Sequence, residues 1–143
     1  FHVPTVDVGL LWPLYLALHR AIQEGLVSSA HAVAKGGLAV HLAMVAMGGE
    51  LGMEIHIRKV PCRPGLSSTQ ILYSESAGRF VITVDPARKE AFEKLFADMP
   101  AACIGMVTET QRFKVQHGKG ELIIDEDVSD LKKSWNSRFG GLI

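Results

Sequence analysis

Apolar residues first recur at helical spacing at Leu11, Leu14, Tyr15, Leu18 and Ile22, and the run stops at Gly25, a residue suited to a left-handed helix end. Asp7 is a candidate N-cap, and Pro13, which belongs in a first turn, predicts a start between Gly9 and Trp12. Leu26–Ala34 reads as a short strand around Ala30, His31 and Val33. Lys35-Gly36-Gly37 then turns sharply into a second helix, Leu38 to Met47, apolar on nearly every face and interrupted only by His41. Such a helix is buried. Gly48-Gly49 ends it, and Leu51–Ile57 alternates Met53, Ile55 and Ile57 with Glu54 and His56, a strand with one polar face.

Arg58 to Ser68 holds Pro61, Pro64 and Gly65 among basic residues and reads as a loop, with Thr69–Tyr73 leading out of it. Phe80, Ile82 and Val84 alternate with Val81 and Thr83 in a further strand, preceded by a polar elbow, Ser74 to Arg79. Asp85-Pro86 marks a helix start, with Phe92, Leu95, Phe96 and Met99 on one face and Glu90–Lys94 as an exposed pair. Ala101–Val107 reads as a strand, and Arg112–Gln116 with Glu121–Ile124 as a hairpin around His117-Gly118-Lys119-Gly120. A last helix begins near Asp127, carries Val128, Leu131 and Trp135 on one side, and frays by Gly140-Gly141. Neighbouring strands without intervening helices predict an α+β domain: a mixed, largely antiparallel sheet covered by helices.

Length and charge narrow the classes. A chain of 143 residues is one domain by size, 1–143, able to bury about 68–70% of its unfolded surface. Fifteen basic residues balance fifteen acidic ones, which excludes the basic footprint of a nucleic-acid binder. No run approaches the roughly 20 apolar residues that span a bilayer; Leu10–Leu18 is short and contains Pro13. Two widely separated cysteines, Cys62 and Cys103, suit reduced thiols in a cytoplasmic protein. The opening Phe1-His2-Val3-Pro4 suggests a fragment of something longer.

Chemistry concentrates in two places. In the elbow, Ser74, Glu75, Ser76 and Arg79 precede a core strand, with Gly78 allowing a positive φ. By themselves these residues read first as a capped turn with a Glu75–Arg79 surface pair, and second as a binding site. Gly36-Gly37 before a helix reads as a tight turn that permits close packing, or as a phosphate contact at the helix N-terminus. The six histidines show no metal-binding spacing and no cysteine partner, so no metal site is expected; His31, just before the turn, reads first as a half-buried structural residue. Neither a nucleophile elbow, a Walker A loop nor a dinucleotide fingerprint occurs, and no catalytic residue is assigned.

Taken in order, several stretches resemble a known family. They are Gly25-Leu26-Val27, His31 with Gly36-Gly37-Leu38-Ala39-Val40, Tyr73-Ser74-Glu75-Ser76-Ala77-Gly78-Arg79-Phe80-Val81, Ile104-Gly105-Met106-Val107, and Asp130-Leu131-Lys132 with Trp135. The set is similar to the C-terminal subdomain of phosphoribosylformylglycinamidine synthases, within a superfamily that includes aminoimidazole ribonucleotide synthetase. The resemblance implies an ATP-dependent C–N ligase of purine biosynthesis, working with the remaining domains of the synthase and a glutaminase subunit or domain. It implies ATP and Mg²⁺ in the full enzyme and none held by this fragment alone. It also implies substrate or phosphate contact for Ser74, Glu75, Ser76, Arg79, Gly36, Gly37 and His31, as a pseudo-equivalent of a ribonucleotide site.

The chain departs from the family pattern at Ala32, Ala34 and Lys35, where acidic and hydroxyl residues are usual. Oxygen ligands for Mg²⁺ are thereby missing, and a mainly structural role is expected for the motif. Two alternatives stand beside this reading: a free-standing small-molecule-binding or regulatory module, and the C-terminal domain of another synthetase or kinase of the superfamily.

Overall fold

The computed structural model describes residues 6–137, Lys119 by its backbone only. Helix α1, Val8–Gln23, starts one residue before the expected window. Asp7 caps it by accepting from the Leu10 amide at 3.2 Å, and Pro13 therefore sits in the second turn rather than the first. At its end Gly25 takes φ +67°, and the Gly25 and Leu26 amides return to the Ile22 and Ala21 carbonyls, a paired cap that satisfies the last turn.

Strand β1, Ser29–Ala32, occupies only the middle of the expected segment and leads into α2, Gly37–Gly49. Strand β2, Gly52–His56, buries Met53 and Ile55, as the alternation requires. Residues 68–73 bring a correction: Ser68–Tyr73 is a helix, α3. Its six residues are too few to show a helical period, but Ser67 and Gln70 cap each other reciprocally at its start.

Strand β3, Phe80–Thr83, follows the elbow. A 3₁₀ turn at Pro86–Arg88 opens α4, Lys89–Leu95, with Asp85 accepting from the Ala87 amide. On α4 the pair that forms is Lys89–Glu93 at 2.7 Å, not Glu90–Lys94; the two alternatives overlap one residue apart, and the structure adopts the first. Strand β4 is confined to Gly105–Thr108, and the expected hairpin is present as β5, Arg112–His117, and β6, Glu121–Asp127. Helix α5, Val128–Asn136, is capped by Asp127; the expected fraying at Gly140-Gly141 lies outside the described residues.

The strands form two sheets rather than one. β1 and β3 make an antiparallel ribbon, with Ala30 opposite Ile82 and His31 opposite Val81. The other sheet runs β4-β2-β5-β6, parallel between β2 and β5 and antiparallel elsewhere. The reason for the split is that β3 is apolar on both faces. Val81 points into a core built from Leu38, Leu42, Met53, Ile55, Phe113 and Val115, under α2. Phe80 and Ile82 point the other way, into a second cluster formed by Ala17, Leu18 and Ala21 of α1 with Phe92, Leu95 and Phe96. The ribbon is thus a middle layer between α1/α4 and α2, so extending the larger sheet would strip one of these cores.

α1 is the element whose face the sequence does not single out. Its first three turns are apolar all round, and the buried stripe proves to be Ala17, Leu18 and Ala21, while Tyr15 and Ile22 are exposed. Trp12 and Leu16 are also exposed. No described helix is long and apolar enough to cross a membrane.

Candidate functional site

The two candidate stretches, 39 residues apart, meet in space. Ala34-Lys35-Gly36-Gly37 closes a β-turn, the Gly37 amide donating to the Ala34 carbonyl at 3.1 Å, with Gly36 at φ +88° and ψ −7°. Gly37 is also left-handed, φ +71°, and a Cβ there would stand 2.7 Å from the backbone of Leu72 and Tyr73. Gly36 thus permits the turn, Gly37 lets the start of α2 lie directly on the end of α3, and α3 delivers the chain into the Ser74–Arg79 elbow.

The elbow closes on the turn through its carboxylate. Glu75 Oε1 accepts from the Gly36 amide at 2.8 Å, placing negative charge at the positive end of α2. The expected Glu75–Arg79 pair does not form among the described residues. Arg79 instead folds over its own loop: Nη2 donates to the Ser74 carbonyl and Nε to the Ser76 carbonyl, the latter at 3.3 Å. Partial burial pushes the Arg79 guanidinium below its ordinary value, yet an arginine so placed keeps its charge. The Arg79 carbonyl accepts from the Val33 amide at 2.9 Å, so the elbow is also stitched to the end of β1. The hydroxyls of Ser74 and Ser76 make no hydrogen bond among the described residues.

His31 enters from β1. Its Nε2 is 2.8 Å from Nδ1 of His41, and His41 Nε2 reaches the Ala34 amide at 2.8 Å. His41 is the residue that sequence reasoning passed over. It is the one buried polar side chain of the described core, 7% exposed, and its signal was there: a lone titratable group inside an otherwise apolar helix. All seven candidate residues thus gather where β1 ends, α2 begins and the elbow crosses.

What the arrangement can do chemically is limited. Gly36 N–H, the donor an external phosphate would use, already holds a carboxylate. At positions 32, 34 and 35 the side chains are two methyls and an ammonium, which do not suit Mg²⁺, a cation that takes oxygen ligands. Among the described residues no nucleophile lies within hydrogen-bond reach of a base, and Cys62 and Cys103 are exposed free thiols on loops far from the turn in sequence. A groove of about 450 Å³ runs beside β1 and the second half of α2, lined by residues such as Ala30, Met44, Val45 and Met53; of the seven candidates it touches only His31.

Comparison with known proteins supplies the relationship. Residues 2–118 match the family described as AIR synthase related protein, C-terminal domain. The chain is 38% identical over 134 residues, 94% of its length, to phosphoribosylformylglycinamidine synthase subunit PurL of Thermococcus sibiricus, and spans 18% of that relative. It thus covers about a fifth of the curated relative it matches. The fold is that of Thermotoga maritima PurL complexed with FGAR, with TM-score 0.80 and 23% identity over 90% of this chain and 22% of the other. Thermotoga maritima PurL complexed with ATP superposes with TM-score 0.75 and 24% identity over 83% of this chain and 21% of that one. The hydrogenase maturation protein HypE, in its complex with HypF, shares the fold at TM-score 0.70 and 17% identity, over 89% of this chain and 45% of that one. On the match across residues 2–118, this chain belongs to the AIR synthase related protein family, as its C-terminal domain.

Proposed function

We propose that residues 1–143 are a single C-terminal domain of the synthetase component of a phosphoribosylformylglycinamidine synthase. The observation that carries this reading is the 38% identity to the Thermococcus sibiricus PurL subunit across 94% of the chain. The complete enzyme would convert formylglycinamide ribonucleotide to formylglycinamidine ribonucleotide in the cytoplasm, with ATP and Mg²⁺. ATP phosphorylates the amide oxygen, and ammonia from a glutaminase partner displaces phosphate. The other domains of the synthase would be this chain's immediate partners.

Within that enzyme the chain contributes no catalytic group. Support for this lies in the occupied Gly36 amide and in Ala32, Ala34 and Lys35, whose side chains offer no oxygen ligand. Gly36, Gly37, His31, Ser74, Glu75, Ser76 and Arg79 act mainly as a structural clasp that fixes the start of α2 against the elbow. Activity measurement tests both parts. The 143-residue chain alone, given formylglycinamide ribonucleotide, ATP, Mg²⁺ and ammonia, is expected to form no ADP. Grafted in place of the matching segment of Thermococcus sibiricus PurL, it is expected to support turnover. ADP formation by the chain alone, or a folded but inactive chimera, overturns the reading.

A further inference from the structure

His41 Nε2 has two backbone neighbours of opposite kind. The Ala34 amide, a donor, lies at 2.8 Å, and the Lys35 carbonyl, an acceptor, at 3.1 Å. One imidazole nitrogen serves only one of them at a time. When both rings are neutral and Nε2 accepts from Ala34, the His41 proton is on Nδ1 and donates to His31 Nε2 at 2.8 Å. His31 must then carry its own proton on Nδ1. In that arrangement both neutral rings are Nδ1–H tautomers, and the Lys35 carbonyl faces a lone pair.

Adding one proton has a single outcome. The contact between the rings holds one proton, and His31 Nδ1 already has its own. Whichever ring carries the positive charge, the added proton ends on His41 Nε2. There it donates to the Lys35 carbonyl and releases the Ala34 amide. The Lys35 carbonyl and the Gly36 amide belong to one planar peptide, and that amide donates to Glu75 Oε1 at 2.8 Å. Polarising the carbonyl strengthens the donor at the other end of the same unit.

We propose that the His31–His41 pair and the Lys35–Gly36 peptide form a proton-linked switch, in which uptake of one proton exchanges the Ala34 contact for Lys35 and tightens Gly36 onto Glu75. The charged surroundings are mixed. The turn carries Lys35, and the elbow carries Glu75 and Arg79. Of the elements packed on α2, β1 brings only His31 itself, α3 brings only Tyr73, β3 brings no ionisable group, and on α5 Lys132 pairs with Glu50 at the far end of α2 while Lys133 pairs with Asp130. The switch needs no ligand, so it stands or falls independently of the assigned enzyme.

NMR of the 143-residue chain tests it between about pH 8 and 5, the range in which imidazoles titrate. At the upper end, imidazole nitrogen correlations are expected to show Nδ1–H tautomers for both His31 and His41. On acidification, the hydrogen-exchange protection of the Ala34 amide is expected to fall while that of Gly36 rises. An Nε2–H tautomer for His41 at the upper end, or Ala34 and Gly36 moving together or not at all, overturns the proposal. His41→Gln, whose amide accepts from Ala34 but does not titrate, is expected to abolish both responses. Persistence of the opposed changes in that variant overturns it equally.

Discussion

Gly37→Ala probes the contact on which the site is built. Two costs can be read from the structure. At φ +71° a residue with a Cβ loses about 1–2 kcal/mol relative to glycine. That Cβ would also stand 2.7 Å from the Leu72 carbonyl oxygen and from two backbone atoms of Tyr73, which cannot swing aside as a flexible side chain would. Forcing α2 and α3 apart is overpacking, about 1–3 kcal/mol. The sum, about 2–5 kcal/mol, is a large part of the 5–15 kcal/mol typical of a domain and corresponds to a Tm drop of roughly 4–20 °C. Gly48→Ala is the control on the same helix: nothing lies within 4 Å of its Cβ, and replacing a helical glycine gains about 0.5–1 kcal/mol. Thermal and urea unfolding followed by circular dichroism reads both. A Gly37→Ala protein within about 0.5 kcal/mol of wild type, the range of a neutral surface change, would refute the reasoning.

Glu75→Ala removes the acceptor at the start of α2 and is expected to cost about 1 kcal/mol in urea unfolding, like loss of an N-cap, with Glu75→Gln recovering most of it; equal stability of Glu75→Ala and wild type counts against the clasp. Asp127 gives a pH signature. The Ser129 hydroxyl first, and then its amide, hold the Asp127 carboxyl below its ordinary 3.8. A depressed carboxyl stabilises the fold above its unfolded value, and that contribution is lost as pH falls through the lower folded value. Stability should therefore decline below about pH 4, and Asp127→Asn, still able to cap, should flatten part of the decline in urea midpoints; Glu50, held down by Lys132, acts in the same direction. An unchanged acid limb in Asp127→Asn would show that the cap charge is irrelevant.

Legibility in the sequence followed the length and one-sidedness of each element. β2 was readable because one face must be buried and the other is polar, and Asp7, Gly25, Asp85 and Asp127 marked helix ends because caps act through local hydrogen bonds. α3 was not readable by period, since six residues hold fewer than two turns. The division into two sheets was hidden because strand pairing is a long-range choice, here decided by Phe80 and Ile82 needing a different core from Val81. The same holds in the site. The elbow and the glycine turn were each visible, but Glu75 was assigned to its neighbour Arg79, the nearer opposite charge in sequence. Folding instead gave it an amide 39 positions upstream.

That exchange of partner accounts for a lysine, Lys35, on the turn. A helix start calls for negative charge, and a side chain immediately before the glycines is one way to supply it. Here Glu75 supplies it through space, from a segment folded by the Arg79 contacts to the Ser74 and Ser76 carbonyls. Once the carboxylate comes from the elbow, a second one on the turn would add repulsion unless a cation lay between them, and Lys35 removes that need by placing a positive charge on the turn itself. The small side chains of Ala32 and Ala34 follow the same logic, since the Ala34 backbone, not its side chain, is what His41 grips. The turn is therefore a unit whose hydrogen bonds are largely met within the chain, by Glu75 at the Gly36 amide and by His41 at the Ala34 amide.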